Sequence, residues 1–135
     1  MFCFVYYLTE FILKTGLFIA RITWVEVLSA FARRQREGTI SSSDLMQAVQ
    51  TFEYDLENQY QVMEFQQTLA EAAGQLVRRH PLRAYDAIQL ASALETQLIF
   101  PPSQTTPFIF VSADERLLTI AQAEGLLIDN PNRHP

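Results

Sequence analysis

Apolar residues follow two rhythms along this chain. Leu17 to Thr23, Tyr60 to Phe65, Phe108 to Ser112 and Leu126 to Ile128 are short runs of β-compatible residues. Tyr60 to Phe65 alternates, with Val62 and Tyr60 turned inward, whereas Phe108 to Ser112 is a continuous β-type run, as in a strand covered on both faces. Between these runs the spacing becomes helical. Trp24, Val27, Leu28 and Phe31 form one stripe, Leu45, Val49, Phe52 and Leu56 a second, and Leu69, Ala72, Ala73 and Leu76 a third. The segment HPLRAYDAIQLASALE, His80 to Glu95, reads as a helix rich in alanine and large apolar side chains, and the proline-rich stretch Leu98 to Pro107 reads as a loop.

Polar punctuation supplies the expected ends. Thr23 with Glu26, Thr68 with Glu71, and Ser112 with Glu115 each have the spacing of a capping box, in which a hydroxyl and a carboxylate reciprocally satisfy free amides of a first helical turn. The serines at 41 to 43 open the second helix, Pro81 suits the first turn of the His80 helix, and Gly38 and Gly125 supply stops. The first two helices form a hairpin. Phe108 to Ile128, a strand, a helix of about a dozen residues and another strand, has the spacing of a right-handed parallel crossover. The expected class is α/β, a three-layer α/β/α arrangement around a parallel sheet.

With 135 residues the chain is expected to be a single domain, residues 1–135, in which an atypical apolar segment 1–16 precedes a more regular region 17–131. Cys3 is the lone cysteine, so no internal disulfide or thiolate zinc cage forms, which fits a cytoplasmic setting. The histidines are His80 and His134, and the four glycines are scattered, so neither a phosphate-binding loop nor a dinucleotide fingerprint is present. Met1 to Ala20 is strongly apolar, but Glu10 and Lys14 interrupt it and no basic stretch precedes it; no membrane association is expected. The net charge of −5 does not suggest nucleic-acid binding, yet six of the ten basic residues fall in two clusters, Arg33, Arg34 and Arg36, then Arg78, Arg79 and Arg83. The stretch between Arg36 and Arg78 holds acids and no basic residue.

Candidate chemistry therefore falls to carboxylates. Glu26 and Asp114 follow expected strands, and in an open parallel sheet ligands bind beyond the carboxyl ends of strands. Either acid alone is explained by capping or by a helix dipole. Asp86 is different: its ridge neighbours are Leu82, Leu90 and Ala93, so it interrupts an apolar row, while Gln89, Ser92 and Thr96 lie to one side. Such a carboxylate must be paired, protonated or bound to a cation, with Arg83 the available partner. A hard divalent ion, Mg²⁺ or Mn²⁺, would satisfy Glu26, Asp86 and Asp114 together, and phosphodiester hydrolysis is the chemistry such a site supports.

The stretches RITWVEVLSAFARRQREG, HPLRAYDAIQLASAL and FVSADERLLTIAQAEGL resemble the successive motifs of PIN-domain ribonucleases of the VapC toxin class, over Leu17 to Pro131. The resemblance implies that Glu26, Asp86 and Asp114 are metal-site carboxylates and that Ser112 helps position a ligand or water. It also implies a Mg²⁺-dependent endoribonuclease, the toxin of a type II toxin–antitoxin pair, acting on RNA as a homodimer and silenced by a cognate antitoxin lying along the Trp24 to Gln59 hairpin. RNA phosphates would meet Arg33, Arg34, Arg36 or Arg83.

The start of the chain departs from the family, which opens with a strand bearing the first metal-binding aspartate. Nothing before Glu26 is an aspartate, and Tyr7-Leu8-Thr9-Glu10 only echoes that pattern. The expectation is that Met1 to about Gly16 replaces the family's first strand and helix through a truncated, shifted or mis-started frame. Activity would be weakened and a sheet edge exposed. Two other readings stay open: a catalytically inactive module binding an antitoxin or RNA, and a domain binding a small phosphorylated ligand, though without a glycine-rich loop.

Overall fold

The computed structural model describes residues 3–7, 16–103 and 107–134. Among these, the strands are β1 (Cys3–Tyr7), β2 (Gly16–Ala20), β3 (Tyr60–Met63), β4 (Phe108–Ser112) and β5 (Leu127–Asp129). The helices are α1 (Ile22–Arg36), α2 (Ser42–Asn58), α3 (Gln67–Arg79), α4 (Ala84–Ile99) and α5 (Glu115–Ala123), followed by a 3₁₀ turn at Pro131–Arg133. The strands form a single sheet in the order β3-β2-β1-β4-β5.

The pairs β2–β3 and β4–β5 are parallel, as expected for strands joined through helices. Strand β1 departs from that pattern, lying between β2 and β4 and running antiparallel to both. Chain length supplies the reason. Only residues 8–15 separate β1 from β2, whereas a parallel return needs a crossover of roughly a dozen residues or more. The expected open edge is therefore corrected: Cys3–Tyr7 fills the central position. Its direction sets Cys3 beside Ser112, and Tyr7 beside Gly16 and Phe108. The rim beyond the carboxyl ends of β2 and β4 thus meets the start of β1. Glu10 lies outside the described residues.

The two parallel connections step in opposite directions across the sheet, from β2 outward to β3 and from β4 outward to β5. With right-handed crossovers, the α1–α2 hairpin and α5 then belong to opposite faces. Packing agrees. Phe18, Phe108 and Phe110 share one core cluster with Leu69 and Leu76 of α3, Leu90 of α4, and Leu117 and Leu118 of α5. Ile19, Val27, Leu56 and Val111 are buried outside that cluster, which supplies the second apolar layer.

Helix ends follow the local signals unevenly. Ser41 caps α2, its hydroxyl accepting from the Asp44 amide, and Gly38 and Gly125 take the positive φ of helix stops. None of the three capping boxes forms. Thr23 lies inside α1, whose cap position is Arg21; Thr68 lies inside α3, capped at Gln66; and α5 is capped by Asp114 instead of Ser112. Pro81 sits ahead of α4, which begins after Arg83 and runs on to Ile99 into the expected loop.

Candidate functional site

Helix α4 crosses behind the rim where α1 and α5 begin. Its apolar surface is nearly continuous: Ala87, Leu90, Ala91 and Ala93 are buried, and so are Gln89, Ser92 and Thr96, the residues that read as a polar side. These three face the protein because α4 is enclosed by β2, α1, α3 and α5. Buried polar atoms ordinarily find partners inside; of these three residues, Ser92 leaves its Oγ without one among the described residues. Thr96 donates to the Ser92 carbonyl at 2.7 Å, and Gln89 reaches across to α1.

The Gln89 amide nitrogen donates to Thr23 Oγ1 at 2.9 Å and to Glu26 Oε2 at 2.8 Å. Thr23 is fully buried, so its hydroxyl serves this link instead of a helix cap. Glu26 is half-buried. Desolvation raises its pKa above the ordinary carboxylate value, the Gln89 hydrogen bond opposes that rise, and the negative charge of Asp86 adds to it.

Asp86 occupies the first turn of α4 and is half-buried, yet neither of its oxygens accepts a hydrogen bond from a described residue. Arg83 makes no ion pair with it. Burial raises the Asp86 pKa, Asp114 raises it further by like-charge repulsion, and the positive charges of Arg83 and Arg116 pull it down. Asp86 and Asp114 line one pocket of about 70 Å³ together with Pro81, Arg83, Arg116 and Leu117.

Asp114 is fixed by the start of α5. Its Oδ1 accepts from the amides of Arg116 at 2.9 Å and Leu117 at 3.3 Å, which leaves Oδ2 without a partner among the described residues. Buried Ser112 lies under the same turn, and its Oγ accepts from the Asp114 amide at 3.1 Å. Glu115 turns away to Asn130 and Arg133, which hold its carboxyl below the ordinary range.

The acids expected to converge therefore form a sequence of neighbours, Glu26 beside Asp86 and Asp86 beside Asp114, instead of a closed cage. Among the described residues no three His, Cys, Asp or Glu side chains come close enough to hold one ion by themselves. In the pocket that Asp86 and Asp114 share, the oxygens open to a hard cation are both of Asp86 and Oδ2 of Asp114, and two carboxylates completed by water and phosphate are a usual Mg²⁺ environment. The residues present fit that kind of ion.

Comparison with known proteins gives the same domain. A model of the PIN domain matches residues 6–123. The chain belongs to the PIN-domain family. Among curated PIN relatives, it is 34% identical to Ribonuclease VapC45 of Mycobacterium tuberculosis (strain CDC 1551 / Oshkosh) and to Ribonuclease VapC49 of Mycobacterium tuberculosis (strain ATCC 25618 / H37Rv). Each match spans 107 residues, 78% of this chain and 68% of the relative. No solved structure matches at the same level.

Within this PIN domain, β1 brings no acid to the rim, since Cys-Phe-Val-Tyr-Tyr contains none. Gln89, Arg116 and Tyr85 were not singled out as site residues from sequence. The available signals were a glutamine one helical turn after Asp86, an arginine two residues after Asp114, and an aromatic residue directly before Asp86. Of the basic clusters, Arg83 reaches the carboxylate pocket, Arg33 lines a second recess, and Arg79 is engaged by Glu124.

Proposed function

We propose that this chain is a Mg²⁺- or Mn²⁺-dependent endoribonuclease, the toxin of a type II toxin–antitoxin pair, which hydrolyses RNA phosphodiester bonds at the Asp86–Asp114 pocket. The observation that carries the reading is the state of Asp86, a half-buried carboxylate with no hydrogen-bond partner among the described residues, next to two further acids. A half-buried carboxylate without a hydrogen-bond partner is costly in a structural role and is suited to a cation site. Both related VapC proteins bear the name ribonuclease.

In this reading Asp86 and Asp114 hold the ion, and Glu26, steadied by Gln89, lies at the edge where it orients water. Ser112 keeps Asp114 aimed by bonding its amide. Arg83 and Arg116 line the pocket beside the acids and draw in the anionic RNA backbone. The ion, when bound, supplies an activated water and offsets charge developing on the phosphate.

The basic segment of a cognate antitoxin would complement α2, which holds Asp44, Glu53, Asp55 and Glu57 and no basic residue. A second copy of the chain would cover Leu98 and Ile99, 83% and 56% exposed at the end of α4. No helix among the described residues is long and apolar enough to cross a membrane, and we place the protein in the cytoplasm with its RNA.

The lack of a β1 acid favours a second reading, an inactive PIN module that binds antitoxin or RNA. Cleavage of an RNA panel in Mn²⁺ separates the two. Active enzyme should lose at least about 100-fold of its rate in Asp86→Asn or Asp114→Asn. Absence of cleavage by the unsubstituted chain, with antitoxin or RNA still bound, would favour the inactive module.

A further inference from the structure

Beside the carboxylate pocket, α1 and α4 enclose a second recess of about 220 Å³, lined by Val25, Glu26, Ser29, Ala30, Arg33 and Tyr85. We propose that this recess receives one unpaired base of a single-stranded RNA, stacked on the ring of Tyr85 while Arg33 meets the adjoining phosphate. The inference rests on the ribonuclease reading for its placement beside the scissile bond.

The recess is assembled by helical spacing. Glu26, Ser29, Ala30 and Arg33 stand at i, i+3, i+4 and i+7, so they share one face of α1. Tyr85 closes the other side from the first turn of α4 and is 54% exposed, an aromatic surface that the fold itself leaves largely uncovered. Val25, 55% exposed, adds apolar surface to the lining. Ring and base stack in a sequence-tolerant way, and unpaired RNA bases are recognised on aromatic side chains of this kind. The space is smaller than the roughly 300–1,000 Å³ that encloses a drug-sized ligand, which suits one planar base.

Polar groups at the recess match a nucleotide. Arg33 is exposed and has no ion pair among the described residues, so its guanidinium is available to phosphate. Oε2 of Glu26 is engaged by Gln89, while Oε1 has no partner among the described residues and can accept from a base N–H. The recess adjoins the place of chemistry, because Tyr85 precedes Asp86 on the same helical turn and Glu26 feels the charge of Asp86. RNA crossing the Asp86–Asp114 pocket would therefore present a neighbouring base to Tyr85. Paired RNA, whose bases are covered by their neighbours, would not fit.

The test is binding of fluorescently labelled single-stranded adenine, cytosine, guanine and uracil homo-oligomers to the full chain in EDTA, where metal-dependent cleavage cannot intervene. Tyr85→Ala should weaken binding of the preferred oligomer about tenfold or more, since the stacked base loses its aromatic platform. Tyr85→Phe should bind like the unsubstituted chain, and Arg33→Gln should lower both affinity and its salt dependence. Equal binding by Tyr85→Ala, equal losses in Tyr85→Ala and Tyr85→Phe, or no RNA binding by the unsubstituted chain would overturn the proposal. Unchanged RNA binding by Tyr85→Ala together with lost antitoxin binding would assign the recess to a protein partner and overturn it as well. A failed cleavage assay in Mn²⁺ would count against the nuclease reading alone, because Tyr85-dependent binding in EDTA stands without it.

Discussion

The side-chain amide of Gln89, on α4, holds the carboxylate of Glu26, on α1, at 2.8 Å, and the same nitrogen reaches Thr23 Oγ1 at 2.9 Å. One buried glutamine thereby ties the start of the helical hairpin to the helix that carries Asp86.

Gln89→Leu should consequently destabilise the protein by about 1–3 kcal/mol, since the Thr23 hydroxyl is left buried and unpaired. Thermal unfolding measures this loss. Because Gln89 also lowers the pKa of Glu26, Gln89→Leu should move the Glu26 titration, followed by NMR, to higher pH. An unchanged Glu26 titration would show that the link does not act on the carboxylate.

Asp86→Asn should raise Tm at neutral pH while removing cleavage. The sign follows from the raised Asp86 pKa: the folded state holds the proton more tightly than the unfolded chain, so folding stability falls as pH climbs from the ordinary value of 3.8 through the folded value. Above that window the ionised carboxylate opposes folding in full, and asparagine removes the opposition. Below pH 3.8 the advantage should vanish. A variant less stable than the parent at pH 7 in the absence of metal would contradict the charge repulsion inferred at the pocket.

His80 Nε2 and Glu124 Oε1 are 2.5 Å apart, joining the end of α3 to the end of α5, and Arg79 Nη2 donates to both carboxylate oxygens at 3.2 and 3.3 Å. The His80 hydrogen bond, followed by Arg79, holds the Glu124 pKa below its ordinary 4.5. This contribution is present above pH 4.5 and is lost as pH falls through the lower folded value. Glu124→Gln should cost about 1 kcal/mol at neutral pH, with the difference shrinking in acid, as read by denaturant unfolding.

Leu98→Arg should convert a homodimer to monomer without lowering thermal stability of the monomer, because Leu98 is 83% exposed and contributes little to the core. Light scattering after size exclusion checks it. A monomeric parent chain at assay concentration would rule out the dimer.

The sequence carried its clearest information where a signal is local. Ser41 as a cap and Gly38 and Gly125 as stops depend on a few backbone angles, and each takes the expected position. The parallel pairs also followed from strand–helix–strand spacing. Capping boxes are less decisive, because a threonine can serve a distant partner: Thr23 bonds Gln89, 66 residues along the chain, and lies one residue inside α1. The Gln89, Ser92 and Thr96 stripe has the periodicity of a wet face, and only the elements packed around α4 bury it. The direction of β1 was implicit in the short span to β2, although apolarity alone cannot distinguish a parallel strand from an antiparallel one. Asp86 was legible as an acid out of keeping with its surroundings, whereas Asp114 reads equally well as the helix cap it is, and the pocket the two share with Arg116 depends on how α4 meets α5.

Mn²⁺ binding to the full chain, followed by electron paramagnetic resonance and calorimetry, tests most directly that Asp86 and Asp114 hold one divalent ion. A single site is expected, with an affinity that rises with pH as the acids deprotonate and that is lost in both Asp86→Asn and Asp114→Asn. Mn²⁺ bound equally well by the parent and by both variants, or not bound at all, would contradict it.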